Sequence, residues 1–189
     1  MGGVWERMIR SVRKALAPLL LEHGERLDDE SLRTLLCEVE SVVNSRPLTS
    51  VSEDLELEPL TPNHLLTQKT SIAPPPGNFE SNDVYARRQW RRVQILADEF
   101  WRRWKKEFLA SLQHRQKWNK IEYNVQVGDL VLIKEENVPR NEWSMGRVLE
   151  TQADSKGIVR SVKLKTQNQD SLQRPIHKLV LLIANDKST

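Results

Sequence analysis

Apolar positions recur at helical spacing from the start of the chain, where Trp5, Met8, Ile9, Val12 and Leu16 are separated by Arg7, Arg10, Arg13 and Lys14. The pattern predicts an amphipathic helix opening at Gly2-Gly3 and bent or ended by Pro18 and Gly24. Asp28-Asp29-Glu30 then supplies an N-terminal signal for a second helix. Its apolar side carries Leu32, Leu35, Leu36, Val39, Val42 and Val43. It should stop at Asn44-Ser45-Arg46-Pro47, because a residue before proline avoids the helical region. Thr61-Pro62 reads as an N-cap followed by proline at the first position of a short helix. The segment 67–83 holds Pro74-Pro75-Pro76-Gly77 among small and polar residues and cannot build a core, so a domain boundary falls there.

The longest helical pattern follows. From Tyr85 to about Leu112 there is no proline or glycine, and Trp90, Val93, Ala97, Phe100, Trp104, Phe108 and Leu112 form a seam spaced by three and four. A helix of that extent would be roughly 40 Å long at 1.5 Å per residue. From Val125 the period shortens to that of strands. Val125 to Ile133 contains a turn-like Gly128-Asp129, and Gly146 to Glu150, Val159 to Lys165, Ser171 to Ile176 and Lys178 to Ile183 complete a set of five. Pro175 confines its neighbourhood to a sheet edge or a 3₁₀ turn. Five short strands in so short a segment predict a small barrel, since an open sheet of that size leaves its edges unprotected. The fold class is α+β.

Charge sharpens this division. The net charge of +3 conceals a segregation: Glu22 to Glu58 holds 3 basic against 11 acidic residues, whereas Tyr85 to Lys120 holds 11 basic against 3 acidic. A polyanion such as DNA or RNA suits the basic segment, unless the two segments mainly face each other. The candidate phosphate contacts there are Arg87, Arg88, Arg91, Arg92, Arg102, Arg103, Lys105 and Lys106. The tryptophans between them are better read as packing against the rest of the protein than as base-stacking platforms. In Val159 to Lys165, Arg160, Lys163 and Lys165 allow a basic strand surface without requiring one.

Cys37 lies among Leu35, Leu36 and Val39 and reads as a buried thiol; one cysteine makes no intrachain disulfide. His23, His64, His114 and His177 have no cysteines at zinc-site spacing, and His64 reads as structural. No apolar run approaches the ~20 residues of a membrane span, so no membrane partner is expected.

On the first helix, Glu6, Arg10 and Arg13 sit at i, i+4 and i+7 and share one stripe. Two readings stand: a surface helix with a Glu6–Arg10 pair contributing about 0.3 kcal/mol, or a metal-binding carboxylate beside phosphate-binding cations.

The stretch from Gly2-Gly3-Val4-Trp5-Glu6 through Arg13-Lys14-Ala15-Leu16 resembles the end of the catalytic core of retroviral-type integrases, in particular those of Bel/Pao-type LTR retrotransposons. Asn44-Ser45-Arg46-Pro47-Leu48-Thr49 and Leu60-Thr61-Pro62-Asn63-His64-Leu65-Leu66 resemble the closing motifs of the same core. Tyr85 to Leu182, with Tyr85-Ala86-Arg87-Arg88-Gln89-Trp90, Arg115-Gln116-Lys117-Trp118-Asn119, Val127-Gly128-Asp129-Leu130-Val131-Leu132 and Arg174-Pro175-Ile176-His177-Lys178-Leu179, resembles the domain that follows it, itself similar to an SH3-like barrel.

The resemblance implies that residues 1–66 are the helical remnant of an RNase H-like integrase core, 67–83 a linker, 84–120 a long basic helix and 121–184 an SH3-like barrel. It implies that Glu6 is the third ligand of a D,D,E triad holding Mg²⁺ or Mn²⁺, with Arg10 and Arg13 as DNA contacts. Both aspartates of the triad belong upstream of Glu6, so the chain reads as the tail of an integrase. It is expected to assist DNA strand transfer in a complete, homo-oligomeric enzyme in the nucleus or cytoplasm, and neither to catalyse nor to bind the metal tightly alone. The rival readings are a non-enzymatic nucleic-acid-binding or tethering module and a protein-interaction adaptor.

Overall fold

The computed structural model describes residues 3–50, 59–68, 89–112, 124–135 and 138–185. The chain divides into two compact units, residues 1–45 with 63–110, and residues 46–62 with 111–189.

The first unit is helical. Helix α1 (Gly3–His23) runs through Pro18 and does not end there. Proline removes one backbone donor, and here Pro18 sits on the exposed side of the helix. Gly24 ends α1 by opening a 3₁₀ turn, Gly24–Arg26. The buried stripe of α1 is Ala15, Leu19 and His23, four residues apart. Met8, Ile9, Val12 and Leu16 flank it partly buried, while Trp5, expected to begin the seam, is 70% exposed.

Helix α2 (Asp29–Asn44) begins where the acidic signal placed it. The Asp28 carboxylate accepts a hydrogen bond from the Ser31 N–H at 2.9 Å, satisfying one of the donors a helix start leaves open. That bond, with a second from Gln89, holds the Asp28 carboxyl below the usual carboxylate range. Ser31, Leu35, Val39 and Val42 are buried along one side of α2. Cys37 is exposed, a correction to the expected buried thiol. Cys37 is two residues, about 200° around a helix, from both Leu35 and Val39, so these buried neighbours lie on the opposite face, while Leu36 beside it is itself exposed. Helix α3 (Pro62–Thr67) opens at its proline, and the Asn63 Nδ2 donates to the Ser41 carbonyl at 3.1 Å, fastening α3 to α2.

Helix α4 (Gln89–Leu112) joins α1 and α2 in the same unit. The predicted seam is buried at Val93, Ala97, Phe100, Trp104 and Phe108, whereas Trp90 at its start is 44% exposed. The rings of Phe100, Trp104 and Phe108 stack successively, with centroids 6.3 and 5.7 Å apart. Polar contacts set the helix directions. Lys14 and Glu22 of α1 meet Glu107 and Arg103 of α4 in reverse order, while Asp28 and Glu38, at the cap and within α2, meet Gln89 and Gln94 in chain order. Thus α1 runs against α4, and α2 runs with it.

The second unit contains a short ladder, β1 (Thr49–Ser50) with β2 (Pro59–Leu60), and a five-stranded antiparallel sheet. The sheet comprises β3 (Leu130–Ile133), β4 (Met145–Ala153), β5 (Val159–Thr166), β6 (Leu172–Pro175) and β7 (Leu179–Ile183) in the order β6-β5-β4-β3-β7. All five expected strands are present, and Pro175 lies on an edge strand just before the 3₁₀ turn Ile176–Lys178. The expected closure is not formed: β6 and β7 are the two edges and do not pair. The α+β class stands, with the sheet open.

One face of the sheet buries Val131, Ile133, Val148, Val159, Val162, Leu164 and Leu179 as a single core. A clasp locks its start to its end. The buried Asp129 carboxylate accepts from the N–H groups of Gln126 and Asn185, each at 2.8 Å. Gly128 before it has φ +94°, and a Cβ there would lie 2.0 Å from the Asn185 side-chain nitrogen. Only glycine fits that turn.

Candidate nucleic-acid interface

On α1 the expected stripe forms: Glu6, Arg10 and Arg13 are all exposed, and their spacing puts them on one face, away from the buried Ala15 and Leu19. They make no ion pair among the described residues. Their neighbours are engaged, the Arg7 guanidinium with the Gly3 carbonyl at 3.0 Å and Lys14 with Glu107 at 3.2 Å. Among the described residues no three His, Cys, Asp or Glu side chains converge to hold a metal ion. A two-metal centre fixes ions ~3.5–4 Å apart, and in the complete enzyme that the resemblance implies Glu6 would be one of its ligands.

On α4 the basic run separates into different environments. Arg87 and Arg88 lie outside the described residues. Arg91 is exposed. Arg92 donates to the Arg26 carbonyl, and Arg103 pairs with Glu99 one turn back and approaches Glu22 of α1 to 4.0 Å. Lys105 is 8% exposed, and its Nζ lies 5.5 Å from the centre of the Trp101 ring, within the range of a cation–π contact. Arg102 and Lys106, four residues apart on one face, are exposed and without an ion pair among the described residues. Of four cations adjacent in sequence, two are therefore built into the protein and two face solvent. Trp101 and Trp104 are buried and serve as packing groups.

The segregated charge is answered within the unit at one point, where Glu22 of α1 approaches Arg103 of α4; Glu38 of α2 meets α4 at the neutral Gln94. Two cations outside this region escaped sequence reasoning in whole or part. Arg147 on β4 lies directly opposite Lys165 on β5. Alternation along Val159 to Lys165 hinted at Lys165, but no local signal shows which residue stands across from it.

These features define an α+β protein with a helical unit bearing sorted cations and an open five-stranded antiparallel sheet. No helix among the described residues is long and apolar enough to cross a membrane. The chain belongs to the family described as Family of unknown function (DUF5641), whose model matches residues 88–182, from just before α4 into β7. No curated protein and no solved structure matches the chain.

Proposed function

We propose that this chain is the C-terminal part of a retrotransposon integrase of the Bel/Pao type, contributing DNA contacts to integration and carrying no catalysis alone. The observation that supports it most directly is the exposed, unneutralised pair Arg102 and Lys106 on α4. Two cations one turn apart repel each other unless an anion is near, and the phosphates of a duplex supply such anions without demanding base identity. The exposed Arg10 and Arg13 on α1 are a second set of the same chemistry. The SH3-like reading of the sheet draws support from its strand order, in which four strands follow in chain sequence and the fifth returns beside the first after a 3₁₀ turn. Strand transfer belongs to the complete enzyme, in which Glu6 would join upstream aspartates. The alternative is a non-enzymatic DNA-binding or tethering module derived from such an element, to which the exposed cations of α1 and α4 are equally suited.

The test uses the full chain and a short DNA duplex across a salt series. Replacing Arg102 and Lys106 by glutamine should flatten the log–log salt dependence by about 1.8, at ~0.9 per phosphate contact, with melting temperature unchanged. Replacing Arg103 and Lys105 instead should lower the melting temperature and leave the slope nearly intact. If both pairs behave alike, or the unaltered chain does not bind, the DNA reading fails.

A further inference from the structure

The sheet face opposite the core carries a cationic row of its own. Val148 and Leu164 point into the core, so Arg147 and Lys165, next to them in each strand, stand on the other face. They are Cα partners in the β4–β5 ladder, and directly opposed residues of an antiparallel pair lie ~4.5–5.5 Å apart at Cα. Like charges facing each other across strands are destabilising. The rows beside them show how the same face resolves its other polar groups. Lys163 pairs with its opposite residue Glu150 at 2.6 Å. Gln152 accepts from Ser161 at 2.7 Å and from Gln173 at 3.0 Å. Among the described residues Arg147 donates to the Gly128 carbonyl, at 3.3 Å, and neither it nor Lys165 makes an ion pair. Both side chains are partly exposed. The acid closest in the ladder, Glu150, is already committed to Lys163.

We infer that the Arg147–Lys165 row is a phosphate-contact site for the backbone of duplex DNA. One phosphate bridging two neighbouring cations removes their mutual repulsion and receives donors from both sides. The glutamine and serine rows extend the same face with neutral hydrogen-bonding groups, which suits a sugar–phosphate strand lying along the sheet and carries no base readout. The inference rests on the DNA-binding reading above, and adds to it a contact on the sheet unit separate from α4.

The experiment compares the full chain with its Arg147→Gln/Lys165→Gln form and with Lys165→Gln alone, each titrated against a short DNA duplex over a range of salt. The double variant should bind several-fold more weakly at low salt, equally for unrelated sequences, with the log–log slope shallower by about 0.9. Its melting temperature should be unchanged or raised, because a repulsion has been removed. Lys165→Gln should show the same direction with a smaller change. Unaltered DNA binding in both forms, while Arg102→Gln/Lys106→Gln loses it, would sink this site and leave the α4 reading standing. Absence of DNA binding by the parent chain would sink both. A loss seen with polyglutamate but not with the duplex would assign the row to an acidic polypeptide and overturn the DNA assignment.

Discussion

The helical unit and the sheet unit treat their cations in opposite ways. On α4, Arg102, Arg103, Lys105 and Lys106 are crowded in sequence, yet the 100° step of a helix sends them to different surroundings. Arg103 turns to Glu99 and Glu22, Lys105 is buried near Trp101, and Arg102 and Lys106 share the solvent side. In the sheet, Arg147 and Lys165 are far apart in sequence, yet the ladder sets them side by side. Density of charge along a chain therefore says little about density of charge in space. Helices disperse neighbours, and strand pairing assembles strangers.

The strongest test of the helical half of this contrast is burial. Trp104 is fully buried between Phe100 and Phe108, so Trp104→Ala should cost about 3–5 kcal/mol in denaturant unfolding. Trp90 belongs to the same predicted seam but is exposed, and Trp90→Ala should fall within about 0.5 kcal/mol. Equal costs would mean that the seam is buried along its whole length. On the sheet side, Gly128→Ala forces a side chain into a positive-φ turn and against Asn185. A loss of about 1–3 kcal/mol is expected, accompanied by faster amide exchange at Asn185 if the clasp opens.

Smaller effects separate the paired cations from the exposed ones. Arg103→Gln should destabilise by about 1 kcal/mol or less, as partly exposed ion pairs do. Arg102→Gln should leave the melting temperature in place and shift only the salt dependence of DNA binding. If Arg102→Gln proves the more destabilising, the sorting of cations on α4 is wrong.

Acid provides the gentlest probe, because Asp28 in the helical unit and Asp154 in the sheet unit are both held below the usual carboxylate range. Asp28 is held there by the side-chain and backbone groups of Ser31, and Asp154 by the backbone N–H of Ile158, with Lys156 and Arg160 also contributing. A depressed folded-state pKa contributes stability above the ordinary carboxylate value, near pH 4. That contribution is lost as the pH falls through the lower folded-state value. Stability should decline below about pH 4. Asp28→Asn should weaken that decline in probes of the helical unit, and Asp154→Asn in probes of the sheet. Unchanged acid profiles in both would show that these bonds do not form in solution.

Much of the architecture was legible because it is written in short-range patterns. Asp28 marked the start of α2, Pro62 that of α3, and Gly24 the end of α1. The period-two runs marked five strands, and Gly128-Asp129 the turn that precedes the first of them. Glu6, Arg10 and Arg13 were placed on one stripe by spacing alone, since a helix has only one rotation per residue. These are properties of a few consecutive residues and their backbone angles.

What the tertiary structure alone decided is which side of each pattern meets protein and which meets water. Cys37 is exposed although its sequence neighbours Leu35 and Val39 are buried, and Trp5 and Trp90 fall beyond the covered part of their seams. Pro18 is tolerated inside α1 on its exposed side, and the sheet remains open between β6 and β7 where closure was expected. The division of α4 cations into paired, buried and exposed, and the meeting of Arg147 with Lys165, depend on groups many residues away. Periodicity determines the angle at which a side chain leaves the backbone; its environment is determined by whatever the rest of the chain brings opposite that angle.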